Sequence, residues 1–100
     1  MLIEYVRKNK RNRKKKGVLI AIVCADDIVR IGWSLCKLSA GDRFNKLGLE
    51  IAKERAIRHM TTAPTSILNQ LEKFIERAKK YYKNKTVEVN IDNVDEYFDM

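Results

Sequence analysis

One hundred residues with 45% hydrophobic and 8% aromatic content form one small domain with a single modest core, which excludes a chain disordered throughout and leaves little room for a deep active-site cleft. Lys and Arg number 21 against 13 Asp and Glu, giving a net charge of +8, and the longest apolar run, seven residues from Val18 to Cys24, is far short of the ~20 a membrane-spanning helix needs. The charge is segregated: every Lys and Arg precedes Thr86 together with 8 of the 13 acids, so residues 1–86 carry +13 and residues 87–100 carry −5.

Leu2 to Arg7 (LIEYVR) reads as a short strand with Ile3 and Tyr5 on one face and Leu2, Glu4 and Val6 on the other. Arg7, Lys8, Lys10, Arg11, Arg13, Lys14, Lys15 and Lys16 then place eight cations in ten residues with no apolar side chain among them. Such a run repels itself and has nothing to bury, which predicts a mobile loop over 7–16. A flexible cationic finger can follow a phosphate backbone by counterion release without reading bases, and can fold on contact as arginine-rich RNA-binding segments do. A charged loop that keeps a sheet edge soluble, or a nuclear-localisation signal, has the same composition.

Gly17 to Cys36 reads as a β-hairpin turning on Ala25, Asp26 and Asp27. With Asp26 and Asp27 as the two turn residues, Cys24 faces Val29, Ile22 faces Ile31 and Ile20 faces Trp33. The first strand is apolar on both faces and should be central. The second has an apolar face of Val29, Ile31, Trp33 and Leu35 and an opposite face of Arg30, Gly32, Ser34 and Cys36 that is open to solvent or to a partner. In this register Cys24 and Cys36 are too far apart for a bridge, so reduced thiols are expected.

Asp42 is the expected N-cap of a helix over 42–60 whose apolar stripe is Phe44, Leu47, Ile51, Ala52, Ala56 and Met60. Gly48 on that stripe implies either close approach to the sheet or a helix break. MTTAPTS (60–66) reads as a loop, with Thr65 or Ser66 capping a second helix over 67–83 that carries Ile67, Leu68, Leu71, Phe74, Ile75, Ala78 and Tyr82 on one face. Near its end Lys79, Lys80, Lys83 and Lys85 surround Tyr81 and Tyr82, a second basic group with aromatics available for stacking, although lysines at a helix C-terminus are also ordinary. TVEVNID (86–92) alternates as an edge strand, and the acidic end with Tyr97 and Phe98 could fold back on the basic face, present a docking peptide, or fray.

Chemistry has little support. His59 is the single histidine, Cys36 and Ser34 have no base at a useful spacing, and P-loop, GxSxG, HExxH and CxxC spacings are missing. No enzyme activity, cofactor or metal is expected. The start, MLIEYVRK, lacks the layout of a signal peptide, so a cytoplasmic location is expected.

Gly17-Val18, Ile31-Gly32-Trp33-Ser34-Leu35-Cys36, Asp42-Arg43-Phe44-Asn45-Lys46, Gly48, Ile51-Ala52 and Arg55-Ala56 together resemble a pattern found in small uncharacterised bacteriophage proteins. The resemblance covers about forty residues and brings no established activity with it. It implies a small stoichiometric binder acting in the cytoplasm of a host cell.

The expected architecture is α+β: a small antiparallel sheet of three strands, or four with 86–92, carrying two helices on one face in the order β-β-β-α-α-(β). The expected function is binding of nucleic acid, or of a nucleic-acid-bearing host complex, through Arg7, Lys8, Lys10, Arg11, Arg13, Lys14, Lys15, Lys16, Lys79, Lys80 and Lys83. The alternative is a protein inhibitor that occupies an acidic or nucleic-acid-binding site on a host protein, such as one of a defence system. The exposed sheet edge leaves a homodimer open, and no membrane partner is expected.

Overall fold

The computed structural model of the protein describes residues 1–7, 15–35, 46–58, 62–88 and 92–94. Strands β1 (Leu2–Arg7), β2 (Lys15–Val23) and β3 (Val29–Leu35) make an antiparallel sheet in the order β1-β2-β3. Helix α1 (Lys46–Ile57), strand β4 (Thr62–Pro64), a 3-10 turn (Thr65–Ile67), helix α2 (Leu68–Tyr81) and strand β5 (Asp92–Val94) follow. The class is α+β, with the order β-β-β-α-α that the sequence pattern predicts. Asp42, Phe44, His59, Met60 and Cys36 lie outside the described residues.

The hairpin closes one residue differently from expectation. Val23 pairs with Val29, Ala21 with Ile31 and Leu19 with Trp33. The reason is a three-residue turn: Cys24 N–H donates to the Ile28 carbonyl, Asp27 N–H donates to the Cys24 carbonyl, both at 2.9 Å, and Asp27 adopts φ 65°. A type I turn followed by one left-handed residue adds a position that a two-residue turn lacks, and Asp is among the few side chains that tolerate that conformation. Asp26 Oδ1 accepts the Ile28 N–H at 3.2 Å and holds the turn.

A one-residue slip exchanges the faces of a strand. Leu19 and Ala21 therefore share a face with Leu2, Val6, Val29, Ile31, Trp33 and Leu35, and α2 packs there through Leu71, Phe74, Ile75 and Ala78. Val18 and Ile20 share the other face with Ile3, Tyr5 and Ile22, and α1 packs there through Ala52 and Ala56. The helices thus cover opposite faces of the sheet, where one shared face was expected. Central β2 explains why: Val18, Leu19, Ile20 and Ala21 are all fully buried, and a strand apolar on both sides requires a layer on each.

The face of β3 expected to be open is likewise covered by α1. Ser34 donates to the Gly48 carbonyl at 2.7 Å, and a Cβ on Gly32 would lie 1.9 Å from the Ala52 carbonyl oxygen. Close approach is real, and it is made where Gly32 meets the α1 backbone. The helix turns Gly48, Ala52 and Ala56 to the sheet while Leu47 stays 56% exposed, so its contact stripe is one of small residues rotated away from the expected Leu47 and Ile51.

Helix α2 follows the predicted stripe, with Ile67, Leu71, Phe74, Ile75 and Ala78 buried. Neither Thr65 nor Ser66 caps it: Ile67 stands at the N-cap without a side-chain hydrogen bond, fed directly from the 3-10 turn. The segment expected as a loop contains β4, which pairs in parallel with β5. Of the expected edge strand, residues 89–91 lie outside the described residues; among those described Val87 bridges Val29 in parallel, Val29 N–H donating to Thr86 O at 2.8 Å and Glu88 N–H to Val29 O at 2.9 Å. Among the described residues no helix is long and apolar enough to cross a membrane.

Candidate nucleic-acid interface

The predicted contact residues fall in two places. Arg7 is the last residue of β1, where a bulge shifts the register after Val6, and it pairs with Lys15 at the start of β2; Lys16 follows. The ladder therefore brings both roots of the basic run to one end of the sheet. Lys8, Lys10, Arg11, Arg13 and Lys14 lie outside the described residues.

Lys79 and Lys80 stand on the last turn of α2, and Lys83 in the turn beyond it, all exposed. The direction of α2 sets their distance from the first group. Near the start of the helix Gln70 donates to Glu4 Oε2 at 3.0 Å and to the Tyr5 carbonyl at 3.2 Å; further along, Arg77 donates to Glu4 Oε1 at 3.0 Å. Past its end Tyr82 shares a hydrogen bond with the Leu2 backbone. The helix therefore runs antiparallel to β1, and its lysines lie at the Leu2 end while Arg7 lies at the opposite one. About 15 Å of helix from Gln70 to Lys80 and about 7 Å of strand from Tyr5 to Arg7 place Lys80 on the order of 20 Å from Arg7. Among the described residues, Arg7 and the α2 lysines therefore stand at opposite ends of β1.

The lysines at the end of α2 are not equivalent. Lys79 lies 3.7 Å from Glu76, and Lys85 reaches back to Asp27 at 2.6 Å on the hairpin tip. Among the described residues Lys80 and Lys83 stand in no ion pair. Between them Tyr81 is 62% exposed, its ring centroid 4.8 Å from that of Tyr82 in an edge-to-face arrangement at 79°. Tyr82 is half-buried against the α2-side core, and burial together with the adjacent Tyr81 pushes its hydroxyl above the ordinary range. Sequence periodicity already separates the two tyrosines, Tyr82 inward and Tyr81 outward; what it could not show is which lysines are already engaged.

A second charged cluster sits at the hairpin tip. Arg30, whose side chain is 7% exposed, donates to Asp26 Oδ1 at 2.9 Å and Oδ2 at 2.8 Å, and lies 3.4 Å from Glu88 Oε2. The hydrogen bonds from Arg30 pull the Asp26 carboxyl down to about 2, and the Asp26 carboxylate raises Arg30 in return. This is a bidentate guanidinium–carboxylate fork joined by a second acid, which ties the hairpin tip to residues 85–88. Its groups satisfy one another, and it offers a ligand little.

His59 and Cys36 lie outside the described residues, and the polar side chains of β3 and the hairpin turn make structural contacts. Ser34 is fully buried against Gly48, Asp26 binds Arg30, and Asp27 binds Lys85. The Cys24 thiol is half-buried beside Arg30. Among the described residues there is no group of three or more His, Cys, Asp or Glu that could hold a metal ion. No protein-family model, curated protein or solved structure matches the chain.

Proposed function

We propose that this protein is a non-enzymatic binder of nucleic acid, or of a nucleic-acid-bearing complex, and that the run from Arg7 to Lys16 is its main contact. The observation that carries the reading is charge density: eight cations in ten residues, within a stretch of 86 residues carrying +13. The paired roots Arg7 and Lys15 support it, because they fix where the run leaves the sheet. Phosphate contact of this kind gives affinity without base readout. The resemblance to small bacteriophage proteins extends the proposal to a phage-encoded protein that engages host machinery in the host cytoplasm.

Titration of labelled nucleic acid over a range of salt tests the reading. The logarithm of affinity should fall linearly with the logarithm of salt, by ~0.7–0.9 per phosphate neutralised. Replacing Arg11, Arg13, Lys14 and Lys15 together by Ala should flatten that slope by up to four phosphates' worth, a decrease of up to about 3 in the logarithmic slope. An unchanged slope would remove the run as the contact. In lysate, a single protein partner that stays bound at a fixed ratio after nuclease treatment would replace nucleic acid by an acidic host protein, making this chain a stoichiometric inhibitor.

A further inference from the structure

We infer that the C-terminal end of α2 is a stacking platform for single-stranded nucleic acid, on which an unpaired base lies over the ring of Tyr81 while Lys80 and Lys83 take the flanking phosphates. The inference rests on the nucleic-acid reading above and specifies the form of the ligand.

Tyr81 is the starting point. Large aromatic side chains are normally drawn into the core for the area they bury, yet this one is 62% exposed while its neighbour Tyr82 takes the core position. Tyr82 is anchored by that packing and by the Leu2 backbone, and the two rings meet edge to face with centroids 4.8 Å apart at 79°. The contact braces the outer ring, and the area of Tyr81 that stays exposed is available to a further aromatic layer. An aromatic already held in place loses less freedom when a base stacks on it.

The charges around it are divided in a way that suits a ligand. Lys79 and Lys85 are engaged with Glu76 and Asp27, whereas Lys80 and Lys83, on either side of Tyr81, are not engaged among the described residues. A shallow hollow lined by Tyr81, Tyr82, Lys83, Asn84 and Lys85 adjoins the ring, and the Asn84 amide offers both a donor and an acceptor there. An exposed ring flanked by two uncommitted cations is the pairing that single-strand binders use, tolerant of sequence because every base has a π-face. A duplex has its bases stacked on one another and cannot offer one to Tyr81 without melting.

Fluorescence anisotropy with the full-length protein, a short labelled oligo-dT, the matching oligo-U and a duplex of equal length tests this at one fixed ionic strength. Tyr81→Leu should weaken oligo-dT or oligo-U binding by about 5- to 150-fold, leave duplex binding unchanged, and leave the melting temperature unchanged because the side chain is exposed. Tyr81→Phe keeps the π-face and should stay within about twofold of the native protein. The two oligonucleotides decide between DNA and RNA. Equal single-strand affinity in Tyr81→Leu, or an equal loss on duplex, overturns the platform while leaving the nucleic-acid reading standing. If the native protein binds none of the three, that reading falls first. Should Tyr81→Leu fold poorly, the Lys80→Ala/Lys83→Ala pair serves in its place: its logarithmic salt slope on oligo-dT should drop by up to about 1.4, and an unchanged slope would overturn the assignment.

Discussion

A guanidinium with a side chain only 7% exposed must be met by opposite charge, and Arg30 meets two carboxylates. Asp26 is the stronger partner, and its carboxyl is pulled down to about 2. A carboxylate whose folded value is depressed contributes stability above the unfolded value near 3.9, and that contribution is lost as the pH falls toward 2. Asp26→Asn should therefore melt below the native protein at neutral pH, and the gap between the two should narrow as the pH is lowered from about 4 to about 2. Melting temperatures of both proteins across that range check this; a constant gap would mean that the ionised pair contributes nothing. Because Asp26 is 47% exposed, solvent screens the pair, and the neutral-pH gap should be modest.

At the scale of elements, the seam between α1 and β3 sets the tolerance of the fold. A methyl group on Gly32 would meet the Ala52 carbonyl, a backbone atom that cannot rotate aside. Gly32→Ala should cost about 1–3 kcal/mol or more, measured by denaturant unfolding, and a cost near zero would mean that the helix can lift from the sheet. This seam also shows why part of the fold was hidden in the sequence. The α2 stripe was legible because its positions carry large apolar groups at helical spacing. The α1 stripe was legible in part: Gly48, Ala52 and Ala56 do face the sheet, but small residues carry so little hydrophobic signal that the larger Leu47 and Ile51 at their border could not be separated from them. The hairpin was legible, but its register depended on one left-handed residue, Asp27, and that single position changed which residues of β2 share a face with Ile31 and Trp33. Strands β4 and β5 were not legible at all, since three residues show no period and their partner lies about thirty positions away. Of the candidate contact residues, the sequence identified the cations; only folding revealed that Lys79 and Lys85 are already engaged and that Arg7 and Lys80 stand at opposite ends.

For the whole molecule, that separation matters more than the total charge. With Arg7 and Lys80 on the order of 20 Å apart, a strand long enough to reach both the basic run and the end of α2 would bind the second at high effective concentration. Affinity for single strands should therefore rise in a step once the oligonucleotide can span the distance. The step should vanish when Arg11, Arg13, Lys14 and Lys15 are replaced by Ala, while short strands held at Tyr81 lose little. A smooth dependence on length with no step would mean that one group alone makes the contact.

The clasp between residues 85–88 and the hairpin also has a consequence for biosynthesis. Asp26, Val29 and Arg30 leave the ribosome long before Lys85, Thr86 and Glu88, so the outer edge of β3 has to wait for its cover through the synthesis of both helices. A nascent sheet whose central strand is apolar on both faces is an invitation to intermolecular pairing during that interval. The hairpin, built from neighbouring residues, can form early, whereas the clasp must close a loop of nearly sixty residues and forms late. The cations of residues 7–16 are synthesised before the hairpin, and like charge of that density disfavours the approach of a second copy during the interval.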